Sequence, residues 1–154
     1  MKVKLAVTDV CVPISEYAHV IADTERSFAA SKTGLVCNIV GHAEDGNFHG
    51  MIPFDINNKE MVDELRTLTE QMVKLAISVG GTATGEHGVG LGKAEFLQEE
   101  HGEVFLDVMK SIKAAIDPKG IMNPGKIFPQ LKVDSITEAT NSFAILREGQ
   151  NGCC

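Results

Sequence analysis

From Val3 to Val12 the chain is rich in β-branched residues, and it then meets Pro13, which cannot continue a ladder, so this run reads as the first strand. A helix is expected next, capped near Ser15 and running to about Ser31. Tyr17, Val20, Ile21, Thr24 and Phe28 share one stripe of it, and Gly34 follows its end. Leu35 to Gly41 and Asn47 to Asp55 read as the second and third strands. Asn57 and Asn58 lead into a long amphipathic helix. Its apolar positions Met61, Leu65, Leu68, Met72, Leu75 and Val79 recur at helical spacing and mark a core-facing stripe.

Six glycines then fall within the thirteen residues from Gly80 to Gly92, a density that helix and strand do not carry without cost. Helical patterning resumes near Lys93 and runs, with a break at Gly102, to Ile116. Asp117-Pro118-Lys119-Gly120 ends it, and Asn123-Pro124-Gly125 makes a second turn. The order β-α-β-β-α predicts an α+β fold: a ferredoxin-like split βαβ antiparallel sheet backed by helices, with an additional C-terminal helical segment. One domain over residues 1–130 is expected, followed by an irregular or short-helical tail over 131–154.

The connection between the second and third strands carries the densest chemistry. In His42-Ala43-Glu44-Asp45-Gly46-Asn47-Phe48-His49, Asp45-Gly46 is a strong type I′ hairpin signal. A two-residue turn there sets Glu44 against Asn47, Ala43 against Phe48 and His42 against His49, with the two histidine Cβ atoms roughly 4.5–5.5 Å apart on one face. Two imidazoles so held suit a divalent cation, with Zn–N distances of about 2.0–2.1 Å. A polar hairpin whose histidines only hydrogen-bond is the plainer alternative. Glu44 is either a spare ligand or an exposed charge, and the turn itself explains Asp45.

The glycine-rich stretch follows a helix rather than a strand and contains no G-x-x-x-x-G-K-[ST], so it is not a phosphate loop. It offers a backbone that can approach a flat ligand closely while presenting Glu86 and His87. Neighbouring residues of an extended segment point to opposite sides. Glu86 is therefore expected as a third metal ligand beside His42 and His49, and His87 as a general base, since imidazole titrates near neutrality. The alternative is a loop closing a boundary, with both side chains solvated. His19 within a helix and His101 at a helix end read as surface groups.

Composition narrows the class. The chain has 154 residues, 44% hydrophobic and 23% charged, with a formal net charge of −7 and one Tyr. A nucleic-acid surface would instead cluster Lys and Arg with stacking aromatics. No apolar run approaches the roughly 20 residues of a membrane helix. The start at Met1 has neither a secretory h-region nor the Arg-rich look of a mitochondrial presequence. Either the protein stays where it is made, or an addressing segment belongs to a longer precursor. Of the four cysteines, Cys11 and Cys37 lie in strand-like apolar surroundings and Cys153 and Cys154 are adjacent at the end, a pattern of reduced thiols.

Three ordered motifs, spanning about Val3 to Phe128 with the opening Thr8 to Ser15, resemble the C-terminal domain of FAD-linked oxidases. They are Gly41-His42 through His49, Thr84 to Gly90 with Gly92-Lys93, and Met122-Asn123-Pro124-Gly125-Lys126. Within that family the chain is most similar to the D-lactate dehydrogenases that pass electrons to cytochrome c. The resemblance implies one divalent metal (Zn, Mn or Fe) on His42, His49 and Glu86, and a catalytic histidine at His87. It implies FAD, held mostly by a domain that would precede Met1, with Asn123 against the flavin side. The reaction implied is oxidation of a 2-hydroxy acid at C2 by hydride transfer to FAD. Mitochondrial residence follows from the family, with the cytoplasm as the alternative.

Two departures bear on the substrate and the metal. Glu44 stands where many relatives have Gly. Val7 and Thr8 stand where relatives acting on a dicarboxylate place a lysine, which favours a small monocarboxylate such as D-lactate. Two other readings remain open: a stand-alone metal-binding or hydrolytic module using the same cluster, and a non-catalytic partner of a separate flavoprotein chain.

Overall fold

The computed structural model describes residues 2–128, and the tail expected from residue 131 lies outside them. The first strand is split into β1 (Val3–Val7) and β2 (Val10–Cys11), followed by α1 (Ile14–Ala29), β3 (Asn38–His42), β4 (Asn47–Asp55) and α2 (Lys59–Ser78). A 3-10 turn at Ala94–Phe96 leads into α3 (Leu97–His101), and α4 (Glu103–Ile116) follows the break at Gly102, whose φ is +78°.

β4 is the central strand. It pairs antiparallel with β1 and β2 on one side and with β3 on the other. β1 and β3 flank it, joined through α1, which is the split βαβ arrangement of the α+β class. Thr82 bridges Cys11 in antiparallel sense.

The single strand expected over Val3–Val12 is interrupted at Thr8 and Asp9. The register does not slip, because Val7 pairs with Met51 and Val10 with Phe48, leaving Thr8 opposite Gly50 and Asp9 opposite His49. Thr8 N–H donates to Gly50 O at 2.9 Å, but Gly50 N–H goes to the Thr8 hydroxyl at 2.7 Å instead of to the Thr8 carbonyl. A regular hydrogen-bonded pair exchanges both backbone bonds. The Thr8 side chain takes over one of them, and the ladder pauses.

The two faces of the sheet differ in chemistry because side chains alternate. Ala6, Val10, Val12, Phe48, Ile52 and Phe54 point into the core with Val20 and Phe28 of α1 and Leu65, Met72, Val73 and Ala76 of α2. Asp9, Asn47 and His49 point to the opposite face, which the glycine-rich segment covers. The buried line of α2 is Val62, Leu65, Thr69, Met72, Val73 and Ala76. Of the expected stripe, Leu65 and Met72 are central, whereas Met61, Leu68, Leu75 and Val79 pack on its edge. Asn58 caps α2 by accepting Met61 N–H at 3.2 Å. Val104, Val108, Ile112 and Ile116 of α4 are exposed.

The hairpin differs from the two-residue turn read from Asp45-Gly46. His42 pairs with Asn47, Gly41 with Phe48 and Val40 with His49, so the loop holds four residues, Ala43 to Gly46. Asp45 N–H returns to His42 O at 3.0 Å, and Gly46 takes φ +74°. A Cβ on Gly46 would overlap Val12 O, and Val12 N–H donates to Gly46 O at 2.9 Å. That seam with the end of β2 draws the hairpin tip into the longer loop.

Candidate metal centre and its loop

In this register His42 is the diagonal neighbour of His49, not its direct partner. Both still project from one face, with ring centroids 6.4 Å apart. His49 is the buried one, its side chain 10% exposed. Its Nδ1 lies 3.1 Å from the Thr8 carbonyl oxygen, the acceptor released where the ladder pauses. A carbonyl only accepts, so Nδ1 carries the proton in a neutral ring and Nε2 presents a lone pair.

Glu86 arrives from the glycine-rich segment, with Oε1 2.9 Å from His49 Nε2. A lone pair and a carboxylate oxygen do not rest at that distance without a proton or a cation between them. His42, His49 and Glu86 each offer one ligand atom, and the three lie within 4.8 Å of one another. The donor set of two imidazoles and a carboxylate, with His49 oriented from behind, fits a divalent ion.

His87 sits beside them. Its ring centroid is 5.1 Å from that of His49 in an edge arrangement, its Nε2 is 3.8 Å from Glu86 Oε1, and its side chain is 48% exposed. A half-exposed imidazole next to the three-residue cluster is free to exchange a proton with a molecule bound there.

The sequence reading does not single out what holds this loop. Asp9, 3% exposed at its side chain, accepts Thr84 Oγ1, Gly85 N–H, Glu86 N–H and His87 N–H at 2.9 to 3.0 Å on one oxygen, and Asn47 Nδ2 at 2.9 Å on the other. Lys93 Nζ lies 3.7 Å from the same carboxylate and donates to the Asp9 backbone carbonyl. Burial raises the Asp9 pKa, yet the His87 amide, the Lys93 charge and the Asn47 and Thr84 side chains more than reverse it, down to about 2. Burial in turn pulls Lys93 down to about 8 against the attraction of Asp9. Gly85 has no room for a side chain, because a Cβ there would overlap Asn47 Nδ2 and crowd Asp9 Oδ1. Glu100 accepts Ala83 N–H at 3.0 Å and fixes the start of the loop. A signal was present in the sequence: a carboxylate inside a β-branched run is a charge that must be buried with partners.

The remaining candidates lie elsewhere. Asn123 is exposed with φ +45°, and among the described residues its side chain makes no hydrogen bond. Its segment reaches the loop through Ile127 N–H on Gly90 O at 3.0 Å. Glu44 is exposed in the hairpin loop, outside the three-residue cluster. His19 is an exposed partner of Glu16, and His101 packs on Phe105. Cys11 and Cys37 are free thiols, and burial raises the Cys37 pKa to about 11.

The family described as FAD linked oxidases, C-terminal domain, matches residues 1–127. The chain belongs to that family. Among FAD-linked oxidases it is 51% identical over 125 residues to the mitochondrial D-lactate dehydrogenase [cytochrome] 1 of Saccharomyces cerevisiae, covering 81% of this chain and 21% of that relative. It is 47% identical over 123 residues to the mitochondrial D-lactate dehydrogenase [cytochrome] of Arabidopsis thaliana, with 80% and 21% covered. It is 41% identical over 120 residues to glycolate oxidase subunit GlcD of Bacillus subtilis, with 78% and 25% covered. The chain thus spans about a fifth to a quarter of the length of these curated relatives. No helix among the described residues is long and apolar enough to cross a membrane.

Proposed function

We propose that residues 1–130 form the substrate- and metal-holding part of a flavin-dependent D-lactate, or 2-hydroxy acid, dehydrogenase. One observation carries the reading. His49 Nε2 and Glu86 Oε1 face each other at 2.9 Å while His49 Nδ1 already donates to Thr8, with His42 and His87 at the same place. His42, His49 and Glu86 hold the cation, and zinc, manganese and iron all suit this donor set. When bound, the cation supplies Lewis acidity toward a substrate oxygen, and the family's flavin supplies the hydride acceptor.

His87 does the chain's own chemistry. In its neutral form it takes the hydroxyl proton of a 2-hydroxy acid seated against the cluster, as C2 gives up its hydride. Asp9 holds the backbone amides of both residues, and the Glu86 carboxylate and the His87 imidazole meet beside His49, 3.8 Å apart, rather than on opposite sides of the loop as alternation along an extended segment predicts. Asn123 lies toward the flavin. The small monocarboxylate is favoured because the Thr8 hydroxyl is committed to Gly50, and neither Val7 nor Thr8 offers a cation to a second carboxylate. A cytochrome as acceptor, which we take to be cytochrome c, and a mitochondrial location follow the relatives' names, which carry the words cytochrome and mitochondrial.

Titration of the chain with zinc and with manganese, repeated on Glu86→Gln, tests the ligand set, with one equivalent bound by the parent and affinity lost in the variant. In the complete flavoprotein, His87→Gln is expected to lower kcat by about 10²–10⁴ while metal content stays at one equivalent. Full turnover in His87→Gln, or no metal uptake by the parent, would overturn the reading.

A further inference from the structure

We infer that Asp9 is the positioning residue of this site, acting through the backbone of Glu86 and His87. The inference rests on the function proposed above. Asp9 is not itself a ligand: its side chain is 3% exposed, and both oxygens are occupied by donors from within the chain. Three consecutive amides, Gly85, Glu86 and His87, converge on Oδ2 together with the Thr84 hydroxyl. Three backbone N–H groups aimed at one point fix the φ and ψ of the residues between them, and so fix where Glu86 and His87 leave the chain.

The same carboxylate reaches the sheet-borne ligands. Its Oδ1 accepts Asn47 Nδ2, and Asn47 is the register partner of His42. Oδ1 also lies 3.7 Å from His49 Nδ1. One buried anion therefore ties the loop's carboxylate and imidazole to the strand that carries the two histidines. An amide at this position keeps one neutral oxygen for the three loop amides and turns an N–H donor toward Asn47, so the charge that strengthens every one of these bonds is lost and Asn47 must turn its side-chain oxygen to meet it. Charge-assisted bonds of this kind are about twice as strong as neutral ones, and groups that orient metal ligands from behind are typically worth 10- to 100-fold in metal affinity.

The test is Asp9→Asn, read by hydrogen exchange on the metal-free chain and by metal titration. Exchange at Gly85, Glu86 and His87 is expected to rise tenfold or more while the Ile52 and Leu65 amides keep their protection. Zinc affinity is expected to fall tenfold or more. The Co²⁺ spectrum of Asp9→Asn is expected to match that of Glu86→Gln, and the double variant to bind no more weakly than Glu86→Gln alone, because both lesions remove the same ligand. Unchanged exchange at the three amides, or a parent-like metal affinity and Co²⁺ spectrum, would overturn the inference. If the parent takes up no metal, the function proposed above fails, and the exchange result still decides the role of Asp9. Should Asp9→Asn not fold, Thr84→Val removes one of the same bonds and is expected to raise exchange at the same amides, with no change there counting against Asp9.

Discussion

The carbonyl of Thr8 accepts His49 Nδ1 at 3.1 Å because the Thr8 hydroxyl has taken the Gly50 amide that this carbonyl would otherwise receive. A single side chain substitutes for a backbone acceptor and thereby sets which nitrogen of a neighbouring histidine is free. Thr8→Val keeps the shape and removes the hydroxyl. Either the Gly50 amide is left unpaired or it recaptures the carbonyl and displaces His49. Urea unfolding is expected to show a loss of about 1–2 kcal/mol, and metal titration a drop of about tenfold. Parent values in both would show that the ladder pause has no bearing on His49.

His42 and His49 should separate binding from stability. His42 is exposed at the end of β3, so His42→Ala is expected to shift stability by no more than about 0.5 kcal/mol while abolishing tight metal binding. His49 is buried and bonded, so His49→Ala is expected to cost about 1–3 kcal/mol as well. Thermal melts of the metal-free variants beside metal titrations distinguish the two.

Asp9 gives the chain a predicted acid limb. Its folded pKa of about 2 lies below the ordinary 3.8, so between those values the unfolded state binds more protons and stability rises with pH. The contribution, about 2 kcal/mol by linkage, is complete above about pH 5 and disappears as pH falls through about 2. Chemical denaturation between pH 2 and 6 should show this slope in the parent and a shallower one in Asp9→Asn.

Two glycines of the loop should respond differently to alanine. At Gly85 the new methyl meets Asn47 and Asp9, and Gly85→Ala is expected to displace Glu86, with metal affinity falling by more than tenfold. At Gly88 nothing lies within 4 Å, and the only cost is the φ of +76°, about 1–2 kcal/mol confined to the loop. Metal titration of both variants checks the contrast, and equal losses would mean that the crowding at Gly85 is not what fixes the loop.

Much of this architecture is legible from residue periodicity. Asn47–Asp55 as a strand, the Asn58 start of α2 and the Gly102 break all follow from local rules of pattern and capping. The hairpin register was not legible, because the Asp45-Gly46 signal competes with the seam between Gly46 and Val12, a contact between distant segments. The four-residue loop moves the strand partner of His42 by two residues, from His49 to Asn47, and an even shift keeps the side chain on the same face, diagonal to His49. The split of the first strand depends on a side-chain bond from Thr8 that no propensity encodes. Asp9 was visible only as an anomaly within a β-branched run, and the loop donors on its Oδ2 lie more than seventy residues away.

The seam at the hairpin tip has a consequence for how an ion would enter and leave. Val12 N–H on Gly46 O and the Cys11 thiol on Asp45 O, at 3.2 Å, clamp a turn that would otherwise swing freely. A socket clamped in this way would keep its imidazoles in place without a cation, unlike the zinc fingers, whose chains fold only around their metal. Chelators should therefore empty it and leave the far-ultraviolet circular dichroism intact, and reloading should be governed by shedding of water from the ion rather than by refolding.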